Sequence, residues 1–262
     1  TSFSGKGALD LYRMGEVVAG GEEAFKQRPM MIVNFLAVTP LSYDFETIGG
    51  IIGTARKGYP MIIGSDPQGG TTGPTPLAGQ LVLNIAESLA AITLAQLVRP
   101  NVPIMLGNIG SVAEMRTGVV ATGAVELGLI NSSFNQMAKY YRIPTYSTGG
   151  MSDAKTSDAQ AGVEKALQAL MVSLSGGNYI HNAAGILDFS MTCSYEQYVI
   201  DNEMLGMVAR VLEGIRVTPD TLSFDQIKEV GPRGNFMGLR HTLNHIRSEH
   251  YLPRLFDRTT YD

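Results

Sequence analysis

Five short apolar runs, each followed by a stretch of helical length, constrain the fold of this 262-residue chain more than any other feature. The runs occupy residues 31–35, 59–63, 102–106, 143–146 and 178–180. Neighbouring parallel strands need a crossover between them, so a repeated strand-then-helix order predicts a parallel sheet in an α/β protein.

The carboxyl ends of these runs carry small and polar residues. Parallel α/β folds place their chemistry at that end of the strands. We therefore expect the strand tips to ring one mouth. The tips are Asn34, then Gly64, Ser65 and Asp66, then Gly107 and Asn108, then Tyr146, Ser147 and Thr148, then His181 and Asn182.

The chain has no linker or internal repeat, so we expect one domain over residues 1–262. The number of predicted strands is compatible with two architectures. A doubly wound sheet can be built from five strands. A closed (β/α)₈ barrel needs eight, and the chain would then lack the first three units.

Charge and cysteine content narrow the class of protein. A formal net charge of -4 with scattered Lys and Arg offers no basic stripe, so nucleic acid is not an expected partner. Cys193 is the single cysteine and has no neighbouring His or Lys in sequence. With no basic and apolar leader before the first periodic segment, we expect a reducing cytoplasm.

The longest apolar stretch, residues 77–98, is expected to be a core helix. Polar side chains within it would be costly at the centre of a bilayer. They are Gln80, Asn84, Glu87, Ser88 and Gln96.

A glycine-rich loop at residues 64–75 precedes that helix. Successive backbone amides before a helix attract anions, but the loop lacks both the lysine of a P-loop and the spacing of a dinucleotide fingerprint. We interpret it as a tight turn, with Thr75 and Pro76 starting the helix. Asp66 within it is equally compatible with binding a cationic group and with capping a turn.

Two other constellations suggest chemistry. His181 and Asn182 at the last strand tip could orient a carboxylate or an amide, although a histidine can also be a satisfied core residue. Lys155 lies in a polar segment between a strand and a capped helix, where an exposed lysine is ordinary.

Three potential metal ligands fall on one helical face, at His241, His245 and Glu249. A metalloprotease motif would need a glutamate after the first histidine, and Thr242 stands there instead. We favour a solvated or packing face and expect no metal. A serine hydrolase is also unsupported, because the chain has no Gly-x-Ser-x-Gly elbow.

The pattern Ser-x-x-Gln, typical of a helix-capping box, occurs three times. It predicts helix starts near Ser157, Ser194 and Ser223.

Nine separated segments resemble the trimethylamine methyltransferase superfamily (MttB-like) over nearly the whole chain. The segments are 69–74 (GGTTGP), 96–100 (QLVRP), 115–118 (MRTG), 136–141 (QMAKYY), 147–155 (STGGMSDAK), 158–162 (DAQAG), 199–203 (VIDNE), 230–232 (VGP) and 256–258 (FDR). Asn235 departs from this resemblance, since the family motif near Gly234 often has histidine.

The resemblance implies a TIM barrel of which this chain is a C-terminal portion, with its five strands equivalent to the last five of eight. It implies transfer of a methyl group from a methylated amine to the cobalt of a separate corrinoid protein, with no cofactor bound directly. Two open sheet edges would remain, which implies either upstream sequence that is disordered or removed, or edges covered by another copy. We expect a homo-oligomer.

Members that carry pyrrolysine act on trimethylamine, and this chain carries none, so the resemblance favours a quaternary amine such as a betaine. At the matching mouth positions we assign Tyr146 and Asp66 to the cation and His181 and Asn182 to the carboxylate. Three further residues are predicted to line the site: Asn34, Gln68 and Asn108.

Two other functions stay open at this point. Lys155 could form a Schiff base in a TIM-barrel lyase or aldolase. Alternatively, the protein could bind a betaine, or regulate through it, without turnover.

Overall fold

The computed structural model describes residues 5–261, so residues 1–4 and 262 of the predicted domain lie outside the described part. Helices and strands alternate along most of the chain. In chain order the elements are α1 Gly5–Ala19, α2 Glu22–Gln27, β1 Val33–Leu36, α3 Phe45–Lys57, β2 Met61–Ser65, β3 Gln68–Gly69, α4 Leu77–Val98, β4 Ile104–Asn108, β5 Ser111–Ala113, β6 Val120–Ala121, α5 Val125–Tyr141, β7 Thr145–Thr148, α6 Ala159–Leu174, β8 Tyr179–His181, β9 Ile186–Leu187, a 3₁₀ turn Asp188–Ser190, β10 Thr192–Cys193, α7 Tyr195–Glu213, α8 Phe224–Val230 and α9 Arg240–Glu249.

The main sheet has five parallel strands in the order β1-β2-β4-β7-β8. All five predicted runs overlap these strands. The spatial order follows the chain order without the reversal that defines a doubly wound sheet, so that alternative is not realised. Among the described residues β1 and β8 each have one strand neighbour. The architecture is an α/β sheet of consecutive strand–helix units with two open edges.

The two faces of this sheet have different roles. Val33, Phe35, Met61, Ile63 and Leu106 point to the helices and form one buried core with residues of α1, α3, α4 and α5. Side chains alternate along a strand, so the residues between them point to the opposite, inner face. The inner face is the one that can carry a site.

Helix α4 is the only helix among the described residues long and apolar enough to cross a membrane by length and composition. It packs against α3 and β2 as a layer of the α/β fold. Its side chains Gln80, Asn84 and Glu87 are buried against the ends of strands and loops, while Val82 and Leu97 are exposed. The prediction of a core helix is confirmed in its packing: Ile85, Ala91, Ile92 and Ala95 join the apolar core, while the buried residues of its first half are mostly polar.

Three small β-strands, β3, β5 and β6, form a second sheet beyond the carboxyl ends of β2 and β4. The Nε2 amide of buried Gln80 donates to the backbone carbonyls of Pro67 and Ser111, which fixes the glycine-rich loop to its neighbour. Helix α4 begins at Leu77 with Pro76 as N-cap and no side-chain cap, one residue later than predicted. The loop is a turn, as interpreted.

The three predicted capping boxes have three outcomes. Ser194 caps α7 by accepting from the amide of Gln197 at 3.1 Å. At α6 the cap is Asp158, one residue after the predicted Ser157. Ser223 precedes α8 but makes no side-chain cap bond.

Candidate functional site

The inner face at the carboxyl ends of the main strands gathers most of the predicted site residues. Tyr146 and Thr148 of β7 and His181 of β8 share this face, because Tyr146 is in register with Tyr179 and Thr148 with His181. Asn34 of β1 alternates with the core residues Val33 and Phe35 and so faces the same way. The parallel strands therefore bring side chains far apart in sequence to one rim.

Asp66 follows β2 directly and is the most unusual group of this rim. Its side chain is partly buried, yet it has no hydrogen bond or ion pair with any of the residues 5–261. Burial raises the pKa of its carboxyl from 3.8 to about 6. A carboxylate in this position is still mostly ionised at neutral pH, and its charge is uncompensated.

Two glycines in register pack closely together beside Asp66. Gly64 of β2 pairs with Gly107 of β4, and Gly107 pairs with Tyr146 of β7. A Cβ at Gly64 would lie 2.6 Å from the Gly107 carbonyl oxygen, so the close approach of the strands requires glycine there. Two strand spacings, roughly 10 Å, separate Gly64 from Tyr146. The Ile62 side chain occupies the space next to Gly107.

A stack of aromatic rings forms the opposite wall. The Tyr146 ring lies nearly parallel to the rings of His181 and Tyr179, with centroid distances of 4.1 and 5.4 Å. The two stacked neighbours cover much of the ring faces of Tyr146. Burial, followed by the nearby Tyr179, raises the pKa of its phenol. Tyr146 is therefore a neutral, well-positioned wall at physiological pH.

His181 is uncharged in this environment. Burial lowers the pKa of its imidazole to about 4, more than the bonds with Asn182 and the Asn108 backbone raise it. Its Nε2 lies 2.6 Å from the hydroxyl of Thr148, which also donates to the Asn108 carbonyl. A neutral imidazole can orient a polar substrate group by hydrogen bonding, but it supplies no positive charge.

Asn182 stands next to His181 in the left-handed backbone region, at φ 60°. That conformation is one that asparagine tolerates better than most residues. Its partly buried side chain bonds His181 rather than packing in the core.

Three predicted lining residues are placed differently from one another. Asn34 is buried on the inner face, and its Oδ1 has no partner among the described residues. Gln68 lies in β3 above the mouth. The Asn108 side chain faces the helices instead and accepts a hydrogen bond from the Asn84 side chain at 2.7 Å. It does not line the site, contrary to the prediction.

Lys165 and Asp201 form a buried ion pair behind the mouth that sequence reasoning missed. Their side chains are 1% and 2% exposed, and Lys165 Nζ lies 3.1 Å from the carboxylate. Lys165 also donates to the carbonyls of Gly150 and Ile186, and Asp201 accepts from the Gly185 amide. The pair therefore fixes the loops after β7 and β8. The sequence offers one sign of this pair: Lys165 lies on the apolar face of a predicted helix, where a buried lysine needs a counter-ion.

Lys155 is not arranged as a Schiff-base nucleophile. Its side chain is 60% exposed, and its ammonium forms an ion pair with Asp188 at 2.8 Å and lies 3.7 Å from the centroid of the Phe189 ring. The nitrogen is thus engaged by a carboxylate and an aromatic ring, whereas a Schiff-base lysine must attack a carbonyl with an unengaged amine. The geometry disfavours the lyase or aldolase alternative.

Comparison with known proteins gives a consistent assignment over the whole chain. The sequence profile of the family described as trimethylamine methyltransferase (MTTB) matches residues 1–262. Glycine betaine methyltransferase of Desulfitobacterium hafniense (strain Y51) is 37% identical over 255 residues, which are 97% of this chain and 53% of that protein.

Two proteins named trimethylamine methyltransferase MttB are similarly related. The protein from Desulfitobacterium hafniense (strain DSM 10664 / DCB-2) is 36% identical over 97% of this chain and 51% of its own length. The protein from Methanosarcina thermophila is 37% identical over 92% of this chain and 50% of its own length. The chain thus spans about half the length of the curated relatives that it matches.

Proposed function

Because the chain belongs to the trimethylamine methyltransferase family, we propose that it contributes the amine-binding face of a methyltransferase acting on a quaternary amine such as a betaine. The acceptor in this proposal is the Co(I) of a separate corrinoid protein, which enters the reaction as a second substrate. The relatives named above include one that acts on glycine betaine and others that act on trimethylamine.

Asp66 is the observation that carries the proposal. A quaternary ammonium has no N–H and cannot donate a hydrogen bond, so it is recognised by charge and by apolar or aromatic surface. A carboxylate already bonded to arginine, lysine or backbone amides would be a poor partner for it. Asp66 lacks such bonds among the described residues and follows β2 on the same inner face as Tyr146 and His181.

The remaining rim residues suit the rest of a betaine. The stacked rings of Tyr146 and His181 offer apolar surface against which N-methyl groups can pack. In this proposal the side-chain amide of Asn182 donates a hydrogen bond to the carboxylate, and His181, held by Thr148, positions Asn182. The unpartnered Oδ1 of Asn34 lies on the same face and can turn its partial negative charge to the cation. The assignment of Asn34, Asp66, Gln68, Tyr146, His181 and Asn182 to substrate binding is part of the proposal.

The chemistry asks for positioning more than for acid–base catalysis. The C–N bond breaks with its electron pair staying on nitrogen, while the electron pair of the nucleophile forms the new bond to the methyl carbon. The leaving amine is neutral and needs no proton at that step, so no general acid is required. The protein's contribution is to align the methyl group with the acceptor and to exclude water.

An eight-stranded barrel is the architecture that we propose for the complete site. The five strands run in chain order with a helix after each, as in a (β/α)₈ barrel, and β1 and β8 have open edges in the described part. The other strands would come from sequence outside these 262 residues or from another copy.

The test is calorimetric titration with glycine betaine, trimethylamine and carnitine, followed by a methyl-transfer assay with Co(I) cobalamin or the cognate corrinoid protein. We expect a quaternary amine to bind, and the absorbance of Co(I) to disappear only when that amine is present. Binding with an unchanged cobalt spectrum would favour a betaine-binding protein. No binding of any methylated amine would contradict the proposal.

A further inference from the structure

A cluster of metal-ligating side chains lies outside the proposed amine site. Asp220, His241 and His245 have ligand atoms that all lie within 4.8 Å of one another. His245 Nε2 is 2.9 Å from one carboxylate oxygen of Asp220, and His241 Nε2 is 3.5 Å from the other. The sequence indicates the two histidines four residues apart, but not the carboxylate that joins them.

The local fold holds Asp220 in place. Asp220 is part of a turn in which Thr218 and Thr221 bond to each other through side chains and amides. The Ser223 amide donates to the Asp220 carbonyl, which also lies 3.2 Å from His241 Nε2. These bonds fix the backbone of Asp220 next to α9, and its 67% exposed carboxylate reaches the two histidines.

Two of the separations are close to those of a tetrahedral metal site. Zinc binds histidine nitrogen and carboxylate oxygen at about 2.0–2.2 Å, which sets neighbouring ligand atoms about 3.2–3.6 Å apart. The two nitrogen–oxygen distances, 2.9 Å to one oxygen of Asp220 and 3.5 Å to the other, lie near this range, and one ligand atom from each of the three residues lies within 4.8 Å of the others. Two histidines and one carboxylate are an established donor set for zinc, with a fourth position left for water.

We propose that Asp220, His241 and His245 bind one divalent transition-metal ion, with zinc as the preferred metal. Glu249, four residues after His245, lines a cavity of about 340 Å³ together with the two histidines. Its carboxylate lies 3.8 Å from Arg210, so it is directed toward that ion pair rather than into the ligand set. The candidate site is thus distinct from the three-residue helical face that the sequence suggests.

The position of the cluster indicates a structural role. Arg210, in the last turn of α7, donates to the Glu249 carbonyl and joins α9 to that end of the helix. The loop after β8 bonds to α7 at Asp201, roughly 14 Å from Arg210 along the helix axis. A bound ion would join the segment after α7 to α9 without contacting substrate.

The experiment uses untagged protein that has been treated with a chelator and then titrated with Zn²⁺ by calorimetry and with Co²⁺ by visible absorption. We expect one ion per chain, a dissociation constant below about 1 µM for Zn²⁺, and the intense d–d bands of tetrahedral Co²⁺. His245→Ala and Asp220→Asn should each weaken Zn²⁺ binding at least about 100-fold.

His250→Ala is the matched control, because His250 lines the same cavity but is not one of the three ligands. It should bind Zn²⁺ as the wild type does. Far-UV circular dichroism and betaine titration of each variant identify any loss caused by misfolding, and Asp220→Asn keeps the size of the side chain. Failure of the folded wild type to bind one ion, or equal affinity in all three variants, would overturn the proposal.

Discussion

Two carboxylates near the strand ends are treated in opposite ways by the fold. Asp201 is almost fully buried and has an ammonium, a backbone amide and a side-chain amide as partners. Asp66 is partly buried and has no partner among the described residues. A buried charge is tolerated when it is paired, and an unpaired one is retained at a cost. The contrast separates a carboxylate that supports loops from one that is available to a ligand.

The largest effect is expected at the paired carboxylate. Lys165→Met should lower the free energy of unfolding by about 3–5 kcal/mol, because it leaves Asp201 buried without its counter-ion. Chemical denaturation measures the change. The control Lys155→Met removes an exposed pair with Asp188 and should cost no more than about 1 kcal/mol. An equal loss of unfolding free energy in the two variants would contradict the claim that the buried Lys165–Asp201 pair stabilises the fold more than the exposed Lys155–Asp188 pair.

Asp66→Asn should act in the opposite direction on stability. In the native state the pKa of Asp66 is above its ordinary value, so ionisation destabilises the fold progressively from about pH 4 to pH 6 and fully above that. The rise from 3.8 to about 6 corresponds to at most about 3 kcal/mol, and solvent access reduces this. We expect a gain of about 1–2 kcal/mol at pH 7.5 in denaturation, and a loss of stability would contradict the account.

The same variant should weaken binding of a quaternary amine about 10- to 100-fold, since one uncompensated charge is removed from a partly desolvated site. Calorimetric titration at pH 7.5 provides the measurement. Asp188→Asn is a suitable control, because Asp188 is a carboxylate already paired with Lys155. Its affinity should stay within about twofold of the wild type.

Affinity should also depend on pH through Asp66. Below pH 6 the carboxyl takes up a proton and loses the charge that attracts the cation, so the dissociation constant should rise about five- to tenfold between pH 7.5 and pH 5. The ammonium itself carries no proton to titrate. Calorimetric titrations of wild type and Asp66→Asn over this pH range isolate the contribution of Asp66. The dissociation constant of the variant should be nearly independent of pH.

His181→Ala is expected to have the smallest effect, raising the dissociation constant of a betaine about 3- to 10-fold through loss of a neutral hydrogen bond and of the stack with Tyr146. His181→Asn keeps a hydrogen-bonding group and should recover part of the affinity. An unchanged dissociation constant in His181→Ala would remove this residue from the site.

The sequence predicted the sheet well, because an apolar run between helical segments is a local signal. It placed strand ends too early. Ser65, Asn108 and His181 extend their strands, since polar tips are satisfied there by Glu87, Asn84 and Thr148. The partners are distant in the chain, so no local pattern reveals them.

The sequence predicted which strand ends contribute to the candidate site. It did not predict which side chains face the site or which charges in it are paired. The orientation of Asn108 depends on the strand register, which places it on the face that contacts Asn84 of α4. Asp220 joins His241 across about 20 positions of sequence, so spacing on one helix pointed to Glu249 instead. Whether Asp66 has a hydrogen-bond or ion-pair partner depends on how the surrounding loops fold, which the sequence does not show.

The most direct measurement is an NMR titration of the Asp66 side-chain carboxyl in protein labelled with ¹³C, with and without a saturating quaternary amine. We predict a pKa of about 6 in the free protein, falling by about one unit or more when the cation is bound. A pKa that does not change on saturation, or that is already near 3.8 in the free protein, would contradict the role assigned to Asp66.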